Sequence, residues 1–109
     1  MIVYVAGPMS KIPYYNFPAF KQAAATLRQL GHTVVSPAEL DEERGIEPDP
    51  IGTPLPDDVY DAVMADDLDR LEGVDAIYLL QGWHKSSGAR KELAKALDRG
   101  LTILLEPVA

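Results

Sequence analysis

Short apolar runs alternate along this chain with segments of helical periodicity, and this order restricts the fold more than any other feature. The runs cover residues 2–6, 33–36, 76–80 and 101–105. Short, continuous apolar runs are typical of strands that are buried on both faces. Strands and helices in strict alternation, with right-handed crossovers, build a parallel sheet. We therefore predict one α/β domain over residues 1–109, a small doubly wound (Rossmann- or flavodoxin-like) parallel sheet of four to five strands with helices on both faces.

The segments between the apolar runs carry the spacing of amphipathic helices, which we place at residues 17–30, 57–71 and 88–99. Asn16 is a suitable N-cap for the first of them. Residues 41–56 carry Asp, Glu, Pro and Gly with no period, so we predict a loop there. A loop this long in a small domain is as often functional as it is a solvated insertion.

Composition excludes several classes of protein. No apolar run approaches the roughly 20 residues of a membrane span, and we expect no signal peptide before the first strand. The absence of cysteine excludes disulfides, thiolate metal sites and a cysteine nucleophile. A net charge of −7 opposes binding to a nucleic-acid backbone. We expect a cytoplasmic protein that binds a small molecule and neither a membrane nor a nucleic-acid polymer.

Glu92 is the first candidate for chemistry because of its position in the pattern. It lies about one helical turn after the loop that follows the third apolar run. The spacing of Ala89, Leu93, Ala96 and Leu97 predicts the buried side of a helix, and Glu92 shares the side of the two alanines. In an open α/β sheet, ligands bind just beyond the carboxyl ends of the strands. The Glu92 carboxylate is therefore expected to border a ligand site.

Asp67 is the second candidate. Tyr60, Met64 and Leu68 mark the buried stripe of the second long helix, and Asp67 occupies another position of that stripe. Desolvation raises the pKa of a carboxyl group, and a raised pKa is what a general acid requires. The alternative is a structural role in which Asp67 caps a neighbouring loop, because buried polar groups usually have a partner.

Two carboxylates from different helices at one edge of a sheet suggest chemistry on a glycosidic bond. One acid attacks or stabilises the anomeric carbon, and the other handles the proton of the leaving group. Arg90, Lys91 and the amides at the helix N-terminus are expected to lower the pKa of Glu92 and keep it ionised as the nucleophile. Asp67 then takes the proton role.

The loops at the strand ends hold candidate ligand contacts. Ser86-Ser87-Gly88 opens the last helix, where one serine caps the helix and the same group of amides and hydroxyls suits a 5′-phosphate. Two roles are open for a further group of loop residues, which could stack on a base or fix a loop on the core. These residues are Tyr14, Tyr15, Asn16, Phe17 and Trp83. His32 and His84 are too isolated to provide metal-ligand spacing, so we expect no metal and no cofactor.

Several segments together resemble the nucleoside 2-deoxyribosyltransferase-like superfamily. They are Val3-Tyr4-Val5-Ala6-Gly7-Pro8, Ala65-Asp66-Asp67-Leu68 and Ser86-Ser87-Gly88-Ala89-Arg90-Lys91-Glu92-Leu93-Ala94-Lys95-Ala96. The Ser-x-Gly-x-x-x-Glu-Leu element of the last segment is the most specific. Within the superfamily, the chain resembles a small branch that is common in phages and bacteria. The segments that carry this resemblance are Ala6-Gly7-Pro8-Met9 and Tyr15-Asn16-Phe17-Pro18-Ala19-Phe20. The resemblance covers nearly the whole chain.

The resemblance implies an enzyme that cleaves or transfers at the N-glycosidic bond of a deoxynucleoside or its 5′-monophosphate, as a hydrolase or a transferase. It implies that Glu92 is the nucleophile, that Asp67 lies near the leaving base and that Tyr4 orients Glu92. It also implies a homo-oligomer, a dimer or larger, whose sites are completed by a neighbouring subunit. Substrate contacts are expected at Gly7, Pro8, Met9, Asn16, Phe17, Trp83, Ser86, Ser87, Gly88 and Arg90.

Two other classes of protein remain as alternatives. The first is a catalytically inactive nucleotide-binding or sensor module that keeps the pocket and has lost turnover. The second is an interaction protein whose acidic segment 41–56 docks a partner. Release of free base from a nucleotide panel separates the enzyme from both.

Overall fold

The computed structural model describes residues 1–108 and confirms the predicted α/β class. Its strands are β1 (Ile2–Ala6), β2 (Thr33–Val35), β3 (Ala76–Leu79) and β4 (Thr102–Leu105). Within the described residues these four strands form one parallel sheet in the order β2-β1-β3-β4. The order reverses between β1 and β3, and the crevice beyond the carboxyl ends of two such strands is where open α/β sheets bind ligands.

Helices cover both faces of the sheet. They are α1 (Phe17–Gln29), α2 (Pro37–Glu43), α3 (Asp57–Arg70) and α4 (Ser87–Asp98). One buried cluster joins α1 to the β1 side chains Val3 and Val5, and a second joins α4 to Tyr4 through Ala96. The alternation of side chains along β1 thus places Tyr4 on the face that α4 covers.

Short 3-10 segments connect these elements, at Pro13–Asn16, Leu71–Gly73 and Trp83–Lys85. No helix of residues 1–108 combines the length and the apolar character that a membrane crossing requires.

The structure corrects three details of the sequence prediction. The predicted loop 41–56 is wrong at its start, because α2 continues to Glu43 with Pro37 in its first turn, where proline is well tolerated. Asn16 does not cap α1, since its backbone is left-handed and its amide donates to the Pro8 carbonyl oxygen at 3.0 Å. Leu97 is 61% exposed, so the buried stripe of α4 ends at Ala96.

The loop after β1 (residues 8–16) is bonded to the α2–α3 connection (residues 45–56), and we call these two segments the paired loops. The Lys11 amide donates to the Gly52 carbonyl oxygen and the Tyr14 amide donates to that of Asp49, both at 2.7 Å. The Tyr15 hydroxyl donates to the Thr53 carbonyl oxygen. Main-chain bonds of this kind fix the position of one loop on the other.

Gly52 permits this close approach. Its φ is +70°, and a Cβ atom added to it would lie 2.3 Å from the Ile12 carbonyl oxygen. Gly45, in the same segment, also has a positive φ of +79°, but a Cβ atom there would meet nothing within 4 Å. An alanine at either position would be strained by the left-handed backbone, and only at Gly52 would it also collide with the other loop.

We expect Gly45→Ala to lower the free energy of unfolding by about 1–2 kcal/mol, the cost of a left-handed alanine alone. Gly52→Ala should cost about 2 kcal/mol more than that, because the paired loops must separate to admit the methyl group. Urea unfolding of both variants beside the parent protein measures the two values. Equal losses for the two glycines would contradict the tight loop pairing.

Candidate functional site

A cavity of about 430 Å³ lies at the carboxyl ends of the strands and is lined by residues that follow β1, β2 and β3. Both predicted acids, Glu92 and Asp67, line it. Most of the predicted substrate contacts line it as well, namely Gly7, Pro8, Met9, Ser86, Ser87, Gly88 and Arg90. The sequence pattern thus located the cavity from residues that are distant along the chain.

Glu92 is held at the cavity by α4 and β1. The Ser86 hydroxyl caps α4 by accepting from the Ala89 amide at 3.1 Å, which confirms the predicted serine cap. Glu92 lies little more than one helical turn after the start of α4 at Ser87, and the Tyr4 hydroxyl of β1 donates to its Oε2. Glu92 is 5% exposed and Tyr4 is fully buried, so this hydrogen bond lies in the interior.

Burial raises the pKa of Glu92 to about 8. The hydrogen bond from Tyr4 opposes this increase, while the charges of Asp67 and Asp41 add to it. The expectation that Arg90 and Lys91 keep Glu92 ionised is therefore wrong. Both basic side chains are exposed, and the Lys91 ammonium lies 5.4 Å from the centre of the Tyr60 ring.

Asp67 is 6% exposed and lines the cavity from α3. Burial raises its pKa to about 6, as its position in the apolar stripe predicted, although a hydrogen bond from Arg44 lowers it. The negative charge of Asp67 in turn contributes to the raised pKa of Glu92. The two acids therefore titrate as an interacting pair.

Arg44 binds Asp67 and two further carboxylates. Its Nη2 lies 2.7 Å from Asp67 Oδ1 and 2.6 Å from Asp66 Oδ2, and its Nη1 lies 2.6 Å from Asp41 Oδ1. Asp67 thus has the structural partner that the alternative interpretation required, and it also faces the cavity. Burial raises the pKa of Asp41, against the effect of Arg44.

The sequence interpretation did not identify Arg44 or Asp41 as parts of the site. Their roles depend on α2, which was predicted as loop. The available signal was a single arginine that follows the acidic run Asp41-Glu42-Glu43. Asp41 lines the cavity and is 5% exposed.

Three predicted substrate contacts do not line the cavity. Phe17 is buried in the core cluster on the α1 side of the sheet. Trp83 packs against the cluster on the α4 side, with its ring edge-on to that of His84 at 5.9 Å. Asn16 holds the loop through the Pro8 carbonyl oxygen. All three fix loops on the core, which was the alternative given for them.

The lining divides into three chemical regions. The acids Asp41, Asp67 and Glu92 are buried. The cationic side chains are exposed at the rim, and they are Lys11, Lys85 and Arg90. The apolar part of the lining includes Met9, Ile12, Ile46, Leu55 and Val63. A ligand with an anionic end, a polar middle and a flat apolar part would complement all three regions.

Tyr60 is a further cavity residue to which the sequence assigned no role beyond the apolar stripe. Its hydroxyl finds no hydrogen-bond partner within residues 1–108. A Cβ atom on Gly88 would lie 3.4 Å from that hydroxyl oxygen and 3.5 Å from Met64 Sδ. The glycine therefore allows α3 and α4 to approach each other beside the cavity.

Fold and site together define a small α/β protein with a cavity that contains buried acids at the switch point of a parallel sheet. The chain belongs to the family described as Domain of unknown function (DUF4406), whose model matches residues 1–105. A search of the curated proteins finds no match to this chain.

Proposed function

We propose that this protein releases the base from a deoxynucleoside or deoxynucleoside 5′-monophosphate, with Glu92 as the nucleophile. The observation that carries the proposal is that one cavity holds the buried carboxyl groups of Glu92 and Asp67, both of raised pKa, and that Glu92 accepts a hydrogen bond from a buried tyrosine. Glycosidic-bond cleavage with a covalent intermediate needs such a pair. The resemblance to the nucleoside 2-deoxyribosyltransferase-like superfamily supports the same chemistry.

In the first step an ionised Glu92 oxygen attacks C1′ of the sugar, and the C1′–N bond breaks. The leaving base takes the bonding electron pair and accepts the proton of Asp67, so an ester joins Glu92 to the sugar. In the second step a water oxygen attacks C1′ and returns one proton to Asp67, which frees the Glu92 carboxylate. A second base in place of the water would give transfer.

Tyr4 is suited to orient the nucleophile. Its hydroxyl donates to Oε2 of Glu92, which leaves the other carboxylate oxygen for attack. The same hydrogen bond stabilises the ionised form of Glu92 against its burial. Burial raises the pKa of the Tyr4 hydroxyl well above its usual value, so the hydroxyl remains a donor over the working pH range.

The rim supports a substrate with a 5′-phosphate. Lys11, Lys85 and Arg90 are exposed cationic residues of the lining, and Ser87 begins α4 beside them. Cations and a helix N-terminus attract a phosphate locally in spite of the net charge of −7. The neutral nucleoside lacks this attraction and should bind more weakly.

We predict a bell-shaped dependence of kcat/KM on pH, with limits near the pKa values of about 6 and about 8. Below the lower limit both acids are protonated and Glu92 cannot attack. Above the upper limit both are ionised and Asp67 has no proton for the base. Between the limits the pair holds one proton, and the reactive form is the one that carries it on Asp67.

Initial rates of base release from pH 5 to pH 9, at low substrate concentration, measure this profile. A rate that still rises between pH 8 and pH 9 would contradict the role of a protonated acid.

The proposal is tested by chromatographic assay of free base after incubation with a panel of deoxynucleosides and their 5′-monophosphates. Release of a base by the parent protein, and its loss in Glu92→Ala, is the expected result. A panel with no release by the parent protein at any pH between 5 and 9 would reject the catalytic function.

The raised pKa of Glu92 favours a second candidate, a nucleotide-binding or sensor module without turnover. At neutral pH the proton of the pair resides mainly on Glu92, and moving it to Asp67 across about two pKa units costs roughly 3 kcal/mol. Tight binding of a nucleotide by calorimetry, with no base released, would select this candidate.

We propose that the protein acts in the cytoplasm and that, as the resemblance implies, it is a homo-oligomer. The edge of the sheet supports an association surface, because Leu105 on β4 is 63% exposed and Leu97 on α4 is 61% exposed.

A further inference from the structure

The apolar part of the cavity lining comes largely from the paired loops. Met9 and Ile12 belong to the first loop, and Ile46 and Leu55 belong to the second. Met9, Ile46 and Leu55 are partly buried and pack on the core cluster of the α1 side. They therefore form a supported surface, which we call the apolar wall and define as Met9, Ile46 and Leu55.

We infer that the apolar wall binds the leaving base and that the paired loops determine which base is accepted. This inference rests on the proposed function. The reacting sugar carbon has to lie at Glu92, and a phosphate is matched by the cationic rim. The flat, weakly polar heterocycle then remains for the apolar part of the lining, where its faces can be removed from water.

The bonding of the second loop argues against the alternative that its acidic segment docks another protein. The carbonyl oxygens of Asp49, Gly52 and Thr53 accept hydrogen bonds from the first loop. These groups are engaged within the chain, and the apolar side chains of the same segment face the cavity. The segment is thus part of the binding site.

The backbone of the first loop supports a role in recognition. Lys11, Tyr14, Tyr15 and Asn16 have φ values of +67°, +56°, +52° and +60°. Left-handed backbone at residues other than glycine is strained and persists where surrounding contacts impose it, often in ligand sites. The contacts with residues 49–53 impose it here, so the second loop controls the shape of the first.

The test compares ligands with and without a base. The ligands with a base are a panel of 2′-deoxynucleoside 5′-monophosphates, and the ligand without one is 2-deoxyribose 5-phosphate. Calorimetry in a Glu92→Gln background keeps the nucleotides intact during the measurement. Leu55→Ala should raise the Kd of the best nucleotide about tenfold, because it removes apolar contact with the base. The Kd of 2-deoxyribose 5-phosphate should stay within about twofold.

Leu30→Ala is the matched control, because Leu30 is 70% exposed at the end of α1 and does not line the cavity, so its replacement should leave both affinities unchanged. Ile46→Ala provides a second wall variant, and a thermal unfolding transition establishes that each variant is folded. Loss of nucleotide affinity alone supports the inference. Equal weakening of both ligands, no weakening of either, or no nucleotide binding in the background protein overturns it.

The proposed catalytic function can fail separately. Suppose that the parent protein binds nucleotides but releases no base, and that Leu55→Ala weakens the binding of nucleotides and not that of 2-deoxyribose 5-phosphate. This result would support the inference and reject turnover. A parent protein that releases base, with Leu55→Ala binding both ligands as Leu30→Ala does, would keep the catalytic function and reject the inference.

Discussion

Glu92→Gln is expected to reduce base release on the order of 10³-fold or more, because an amide cannot attack C1′ and removal of a nucleophile typically has an effect of this size. The packing should survive. The amide has nearly the volume of the carboxyl group, and its carbonyl oxygen can still accept from the Tyr4 hydroxyl. Initial rates of base release at pH 7, with parent and variant at equal concentration, measure the effect.

The free energy of unfolding of Glu92→Gln should depend less on pH than that of the parent protein. The pKa of Glu92 is about 8 in the folded protein, above its usual 4.5, so its favourable contribution is complete at pH 4 and is lost as the pH rises through 8. Glutamine has no proton to lose there. We expect the free energy of unfolding to fall more steeply between pH 5 and pH 9 for the parent protein than for Glu92→Gln.

Glu72→Gln is the matched control for this variant. Glu72 is an exposed carboxylate whose partners are Lys95 at 2.6 Å and Arg99 at 3.1 Å, and it does not line the cavity. Its replacement should leave base release unchanged, since an exposed ion pair contributes little. Retention of more than about a tenth of the parent activity by Glu92→Gln would exclude Glu92 as the nucleophile.

The sheet was predictable because its signal is local. Residues 2–6 and 76–80 are continuous apolar runs, and such runs are buried on both faces wherever helices cover a parallel sheet. Helix α2 was not predictable in the same way. Its range of Pro37–Glu43 is too short for a clear period, and Pro37 also fits the end of a strand. The local pattern therefore left this helix ambiguous.

The position of Glu92 was predictable, whereas its protonation was not. Its helical register with Ala89 and Ala96 placed it on the buried side of α4. The direction of its pKa shift depends on how completely β1 and α3 cover it, and on Asp67, which approaches only in the folded chain. Nearby basic residues in the sequence, such as Arg90, were a poor guide because they point to solvent.

Arg44→Gln should cause the largest loss of stability among these substitutions. Arg44 is the shared partner of Asp41, Asp66 and Asp67, and the first and last of these are buried. Removing one member of a buried ion pair costs about 3–5 kcal/mol, because the remaining charge stays desolvated. We expect a loss of this size by urea unfolding at pH 8. The loss should be smaller at pH 5, where Asp67 is protonated in the folded protein.

Arg70→Gln is the matched control for Arg44→Gln. It removes a positive charge without breaking a buried ion pair, so it separates the two effects. Arg70 also contacts Asp66, at 3.6 Å, but its side chain is 47% exposed, so its replacement should cost less than about 1 kcal/mol. Loss of Arg44 also removes the hydrogen bond that lowers the pKa of Asp67. The lower limit of the pH profile should therefore move upward in Arg44→Gln and stay in place in Arg70→Gln. Equal stability losses and identical pH profiles in the two variants would show that Arg44 does not set the protonation of Asp67.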